Sequence, residues 1–374
     1  MTSLNQAKLV LFFTRDTSLQ TWAASGTLQR ETALYRALLG HVGQVDFVTY
    51  GRRADLALAR KLERFGLHCN RWGLPPRLYR SMRARGWGLK PKGPAVFKSN
   101  QVPGAEIGLK AAESLGVSFI ARAGYLPSNI FTWRHGPHSA QAEQMKALEQ
   151  KVFSQADRVV VTTAEMAETV SDRYGVDSAR VRVIPNFVNT EAFGLSGQPR
   201  RKNLLVYVGR LHPEKNVKNL VEATEGLDVT LLMIGEGHLR PRLEALCAEK
   251  KLPVQFLGKV ANAELPQYLN QAGLFILPSR GEHHPKALLE AMACGVPVLG
   301  ANVPGVRQLI SQDETGLLCG ITVPEIKMAI QDALSRDPED MAEMARKARL
   351  YLEEHFSFPA VLALEVALLE DILG

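Results

Sequence analysis

Short apolar runs rich in Val, Ile, Leu and Phe alternate along the chain with longer segments whose apolar positions return every three to four residues. Runs of strand length that are apolar on both faces, separated by helical patterns, predict parallel sheets covered by helices. In the first half the pattern predicts strands at Leu9–Phe13, Val45–Tyr50, Val96–Ser99, Ser118–Ala121, Arg158–Thr162 and Val181–Ile184. Helices are predicted over Thr27–Leu39, Asp55–Phe65, Ala105–Leu115, Gln141–Ser154 and Ala164–Tyr174. The polar stretch Gly194–Lys202 reads as a linker, after which the alternation restarts.

The second half is predicted to run strand Leu204–Val208, helix Val217–Glu225, strand Val229–Ile234, helix Leu239–Lys250 and strand Val254–Leu257. Helix Glu264–Asn270, strand Leu274–Leu277, helix Lys286–Ala293, strand Val298–Gly300 and helices from Pro324 complete it. The fold class expected is therefore α/β, with two doubly wound Rossmann-like domains facing across a cleft. The expected limits are 1–193 and 194–356, with a helix at 357–374 packing back on the first domain. In such sheets ligands sit beyond the carboxyl ends of the strands, so chemistry is sought in the loops that follow them.

With 374 residues, 46% hydrophobic and 22% charged, the chain has the length and composition of two folded domains. No apolar run reaches the roughly 20 residues that span a bilayer. The opening MTSLNQAKLVLFFTRD reads as a first buried strand instead of a signal peptide, and a cytoplasmic location is expected. Cys69, Cys247, Cys294 and Cys319 are scattered without ligand spacing, which suggests reduced thiols and neither a disulfide frame nor a zinc site.

Charge is unevenly placed. Residues 1–190 hold 26 Lys and Arg against 14 Asp and Glu, whereas the remainder holds 19 against 24. Between Arg52 and Lys98 stand 13 basic residues with only Asp55 and Glu63 opposing them. Trp72, Leu78, Tyr79, Trp87 and Leu89 interleave with these cations, a mixture suited to an anionic membrane surface. Docking of an anionic soluble molecule and a plain solvated basic face are the competing readings. Nucleic acid is not expected as a partner, because no helix-turn-helix, zinc or base-stacking signature accompanies the charge.

Two loops of the second half carry candidate chemistry. In Gly209-Arg210-Leu211-His212-Pro213-Glu214-Lys215-Asn216, a glycine allows a sharp turn at a strand end. Arg210 and Lys215 then bring two cations near a helix N-terminus, where a diphosphate would find charge, a planar fork and backbone donors. Solvated surface charge is the plain alternative. The second loop, Pro278-Ser279-Arg280-Gly281-Glu282-His283-His284-Pro285-Lys286, opens a helix that holds Glu290. Glu282 could accept bonds from sugar hydroxyls and Glu290 could hold the vicinal hydroxyls of a ribose. N–H groups around His284, Pro285 and Lys286 would face phosphate. Taken singly, the plainer readings are favoured, Glu290 as an ordinary helix-face acid and Glu282 as a first-turn dipole partner.

Glu282 to Glu290 is a Glu-x7-Glu spacing inside PSRGEHHPKALLEAMACGVPVLG. Together with YVGRLHPEKN, LLMIGEG, VQFLGKV and IPNFVNTEAF, in that context, it resembles glycosyltransferase family 4 of the GT-B fold, of the bacterial surface-polysaccharide type. The resemblance runs from about Ala156 to Gly320. It implies that Arg210 and Lys215 bind the donor diphosphate, that Glu282 contacts the donor sugar and that Glu290 binds the ribose. It also implies that Gly258-Lys259-Val260 lies beside the nucleobase and that Gly235 forms the second-strand glycine turn. Activity is then expected to be transfer of a sugar from a nucleotide-diphosphate-sugar to an acceptor hydroxyl, with retention of configuration. The acceptor expected is a glycan or a lipid-linked glycan, with the protein peripheral on the inner face of the membrane.

No cofactor and no metal are expected, since no Asp-x-Asp triplet exists to clamp a metal on a diphosphate. Gly235-x-Gly237 lacks the third glycine of a dinucleotide fingerprint, which argues against NAD. In the first half Gly26 could let backbone approach the phosphates, or be a plain loop glycine. Many members of the family place a His after the strand that here ends at Ala121. This chain has Arg122 and Tyr125 there, with His135 further on, and these become the candidates for the sugar and acceptor side. A sugar-nucleotide epimerase would need the same donor grip and is the nearest rival, with a basic nucleic-acid-binding protein the rival of another class.

Overall fold

A computed structural model describes residues 4–62 and 64–374. The chain divides into two compact units, Met1–Pro185 with Leu362–Gly374, and Asn186–Val361.

The first unit holds β1 (Lys8–Phe12), β2 (Gln44–Val48), β3 (Phe65–His68), β4 (Ala95–Ser99), β5 (Ser118–Ala123), β6 (Arg158–Val161) and β7 (Val181–Val183). These form one sheet in the order β3-β2-β1-β4-β5-β6-β7, and each pairing is parallel. The second unit holds β8 (Arg201–Val208), β9 (Thr230–Ile234), β10 (Val254–Gly258), β11 (Ala272–Leu277), β12 (Val298–Ala301) and β13 (Leu317–Cys319). Its sheet runs β10-β9-β8-β11-β12-β13, also parallel throughout. Both orders are doubly wound and reverse direction beside the first strand of the unit, between β1 and β4 and between β8 and β11. A crevice opens at such a reversal because the connecting helices leave on opposite faces.

Helices Ala105–Leu115, Ala164–Tyr174 and Lys286–Ala293 have the predicted limits. Several expectations need correction. Phe65, predicted to end a helix, lies in β3, and the helix before it spans Arg53–Leu62; residue 63 lies outside the described residues. Phe65 stacks on Phe47 of β2 at 4.6 Å, so tertiary pairing outweighs the helical pattern there. The linker predicted to reach Lys202 ends earlier, because Arg201 and Lys202 already belong to β8. Its outer residues are exposed while Leu204–Tyr207 are buried, so the polar start hid the strand. The stretch after strand 1, read as a loop, contains a helix at Leu19–Ala24. Helices Pro76–Ala84 and Pro127–His135 and strand β13 lay outside the predicted elements.

The last helix, Phe358–Leu373, brings Glu365 to Lys98 of β4, both about 1–2% exposed in their side chains. Desolvation depresses the Lys98 pKa, and the carboxylate opposes that shift. Helix and sheet are thus tied through a buried ion pair, which is costly to break from either side. All four cysteines are free and buried. Burial pushes Cys294 and Cys319 up to about 12 and Cys247 to about 11, so they remain thiols at neutral pH. Among the described residues no helix is long and apolar enough to cross a membrane.

Candidate active site

Three neighbouring strands of the second sheet end in glycines packed backbone to backbone. Gly209 N–H donates to the Ile234 carbonyl at 2.9 Å, and Gly235 N–H to the Gly258 carbonyl at 2.7 Å. Gly235 has φ +139, and a β-carbon there would stand 1.9 Å from the Gly209 carbonyl oxygen. Only glycine allows that approach. The loop after β8 is thereby pressed onto the loop after β9, and Leu211 N–H continues the contact to the Glu236 carbonyl at 2.9 Å.

From this base the chain places Arg210 and Lys215. The fully buried Tyr207 donates its hydroxyl to the Arg210 carbonyl at 2.9 Å, which fixes the backbone and leaves the guanidinium outward. Arg210 is 62% exposed in its side chain and lies 3.4 Å from Glu214. Asn216 takes the left-handed conformation at φ +55 and donates its side-chain amide to the Ile321 carbonyl at 2.7 Å. It turns the chain into helix Val217–Ala223 and sets Lys215 beside the β11 loop.

There Lys215 forms an ion pair with Glu282. The backbone supports the same crossing, since Arg280 N–H donates to the Glu214 carbonyl at 2.9 Å. These contacts join the loops after β8 and β11, on the two sides of the strand-order reversal. Sequence reasoning placed a cation and an acid in two separate loops, and folding brings them into contact. Next to them, burial lowers the pKa of His283, with Glu282 raising it and Lys215 lowering it. Pro285 is the N-cap residue of helix Lys286–Ala293 and gives it no side-chain capping bond. His284 is 7% exposed, its ring packs 5.1 Å from Phe356, and its carbonyl accepts from Asn186 at 2.8 Å.

Glu290 is buried within that helix at 4% exposure. Asn262, from the segment after β10, donates its side-chain amide to Glu290 Oε1 at 2.8 Å. This partner was missed in the sequence, where nothing marks Asn262. Gly258, at φ +72, ends β10, Lys259 is exposed, and Val260 packs partly on the core. A second missed feature is His212, whose ring meets His238 edge to face at 4.6 Å and lies 3.6 Å from Glu214. The nucleotide-side candidates Gly209, Gly235, Lys259, Val260 and Glu290 thus border the same carboxyl edge of one sheet as Arg210, Lys215 and Glu282.

The first unit places its candidates differently. Gly26, at φ +69, follows helix Leu19–Ala24, and its N–H donates to the Ala23 carbonyl at 2.9 Å. Its conformation is accounted for by ending that helix. Arg122 lies in β5 and donates to the Asn100 carbonyl at 3.2 Å, and Tyr125 is half-buried in the following loop. His135 ends helix Pro127–His135, exposed, with its ring stacked 5.9 Å from Phe131. The basic segment is also not one surface. Lys98 is buried against Glu365, and Arg83 is 5% exposed with its guanidinium on the Trp87 carbonyl at 2.8 Å. Tyr79 and Leu89 are core residues, whereas Trp72, Leu78 and Trp87 are 52%, 54% and 63% exposed.

The family model of glycosyl transferases group 1 matches residues 188–351, and that of Glycosyltransferase Family 4 matches residues 32–192. Glycogen synthase of Mycobacterium tuberculosis is 27% identical over 249 residues, 63% of this chain and 60% of the relative. D-inositol 3-phosphate glycosyltransferase of Gordonia bronchialis is 30% identical over 232 residues, 55% of this chain and 50% of the relative. The chain therefore spans at most about 60% of the length of these curated relatives. Sucrose-phosphate synthase from Thermosynechococcus elongatus superposes with TM-score 0.78 at 21% identity, covering 98% of both chains. Anabaena HepE, solved in complex with UDP and glucose, gives 0.78 at 15% identity over 97% of this chain and 99% of its own. At those identities the likeness concerns the fold. With two family models running together from residue 32 to residue 351 over two Rossmann-like sheets, the chain belongs to the GT-B glycosyltransferases that join a family 4 domain to a group 1 domain.

Proposed function

We propose that the protein is a retaining glycosyltransferase that moves a sugar from a nucleoside-diphosphate donor to an acceptor hydroxyl, without a metal. The observation that carries this reading is the contact of Lys215 with Glu282 across the strand-order reversal, beside the outward Arg210. A donor diphosphate entering there would give both cations a stronger anionic partner and free Glu282 for the sugar. Glu290, held by Asn262, is set to receive the ribose. As the glycosidic C–O bond breaks, its electron pair stays on the diphosphate oxygen, where Arg210, Lys215 and the positive end of helix Lys286–Ala293 stabilise the charge. The acceptor oxygen bonds to the anomeric carbon, and its proton passes to that departing oxygen. Retention is carried from the family resemblance. The UDP in the HepE complex makes a uridine donor the first to try.

A thermal-shift panel of UDP-, GDP- and ADP-sugars tests donor binding, because a ligand at 100 times its Kd stabilises by about 2.7 kcal/mol. Donor incubated alone and with acceptor extract then separates transfer from epimerisation. No shift with any nucleotide-sugar would overturn the reading.

A lipid-linked glycan of surface-polysaccharide synthesis, met at the inner face of the membrane, is the acceptor we propose. What supports it is Trp72 stacked parallel to Trp87 at 6.1 Å, both exposed, with Arg71 4.4 Å over the Trp72 ring. Arg77, Arg85, Lys90 and Lys92 are exposed in the same segment. Indole rings beside cations suit a headgroup layer, each cation adding about 1 kcal/mol. Sedimentation with anionic liposomes at low salt tests it, and a protein left in the supernatant removes the idea.

A further inference from the structure

The six-stranded sheet has a second recess, at the opposite ends of its strands. Lys202 at the start of β8, Leu274 near the start of β11 and Pro297 just before β12 border a cavity of about 230 Å³. The wall is apolar, formed by Leu274, Pro297, Leu334 and Met341. Three cations stand around it, Arg200, Lys202 and Arg336.

Their charges are not equivalent. Arg336 is neutralised by Asp313 at 2.7 Å and Asp332 at 2.9 Å. Among the described residues Arg200 is held by carbonyl oxygens alone, those of Leu269, Asn270, Ala272 and Cys294, the last at 2.6 Å. Desolvation depresses its pKa, with Cys294 acting in the opposite direction. Lys202 is exposed and makes no ion pair among the described residues. A half-buried guanidinium without an acid, next to a second unneutralised cation and over an apolar wall, is an arrangement that an anion would stabilise.

We propose that this cavity binds a small amphipathic anion, a carboxylate on a compact ring or short chain. The acid would meet Arg200 and Lys202, and the apolar body would lie against Leu274, Pro297, Leu334 and Met341. The volume is below the roughly 300–1,000 Å³ of pockets for drug-sized ligands, so one or two rings are the limit. This inference does not rest on the donor reading, since the cavity lies at the amino ends of the strands and the donor loops at the carboxyl ends.

Calorimetric titration of the full chain with 1-naphthoate, and with neutral 1-naphthamide as its partner, tests the proposal. Naphthoate should bind one site per chain, and naphthamide at least about tenfold more weakly. Lys202→Glu should weaken naphthoate by at least about tenfold. Ala342→Phe should remove binding by filling the mouth; Ala342 is exposed, so the melting temperature should stay unchanged. Equal binding of acid and amide, binding that survives Ala342→Phe, or displacement of naphthoate by saturating UDP would each overturn it. So would the absence of saturable binding at millimolar naphthoate.

Discussion

The two units wind their sheets in one order, and both bridge the reversal with a cation and a carboxylate, yet the bridges differ. In the first unit Arg15, after β1, pairs with Glu106 in the first turn of helix Ala105–Leu115. The other oxygen of Glu106 accepts from Gly104 N–H at 2.9 Å, and Arg15 N–H donates to the Pro103 carbonyl at 2.8 Å. There the acid closes the N-terminus of its own helix. In the second unit Glu282 stands in the loop ahead of helix Lys286–Ala293 and pairs with Lys215 of another loop. One topology therefore closes its crossing within the first turn of a helix in one unit and between two loops in the other. What separates them is whether the acid sits inside the helix or in the loop before it.

That contrast can be broken by experiment. The largest effect expected concerns stability of the first unit: Lys98→Ala leaves Glu365 buried without a partner and should cost about 3–5 kcal/mol by denaturant unfolding. Lys98→Met with Glu365→Leu should recover most of it. Next, Arg210→Ala should lower turnover by about 10²–10³ with the melting temperature kept, as removal of one preorganised donor does. Arg15→Ala, its counterpart in the first unit, should leave the UDP-induced thermal shift unchanged; loss of that shift would erase the distinction drawn above.

Three smaller effects sharpen it. A β-carbon at Gly305 would stand 2.2 Å from the His283 carbonyl oxygen and 2.4 Å from that of Glu282. Gly305→Ala must therefore displace the acid's loop, and turnover should fall by about tenfold while donor binding persists. Asn262→Ala should raise the donor KM by about five- to tenfold at nearly constant kcat, the loss of one hydrogen bond to a charged group. The smallest concerns His283. Burial holds its folded pKa below the ordinary value, so the unfolded chain binds more protons at acid pH. Stability should rise with pH up to about 6.5 and be lost as pH falls through that window, a slope that His283→Asn should flatten.

Most of the second unit was legible in the sequence because its strands are apolar on both faces and its loops carry Gly, Pro and paired charges at strand ends. The first unit was less so. Helix Pro76–Ala84 begins in PPRLYR, where two prolines and exposed cations read as a loop, and β3 has no fully buried residue. Asn262 gave no signal, since its bond to Glu290 spans 28 positions. In the basic segment, charge counting treated Arg83 and Lys98 as surface, although a carbonyl and a distant carboxylate let each be buried.

From the sequence alone follow the alternation of strands and helices, the glycines at the strand ends and the presence of Arg210, Lys215, Glu282 and Glu290 in strand-end loops or just beyond. These are local properties, set by hydrophobic period and backbone permissiveness. Which cation meets which acid and which arginines reach water were decided only in the tertiary structure. Those outcomes depend on distance and desolvation between residues far apart in the chain, and neither quantity is written in local order.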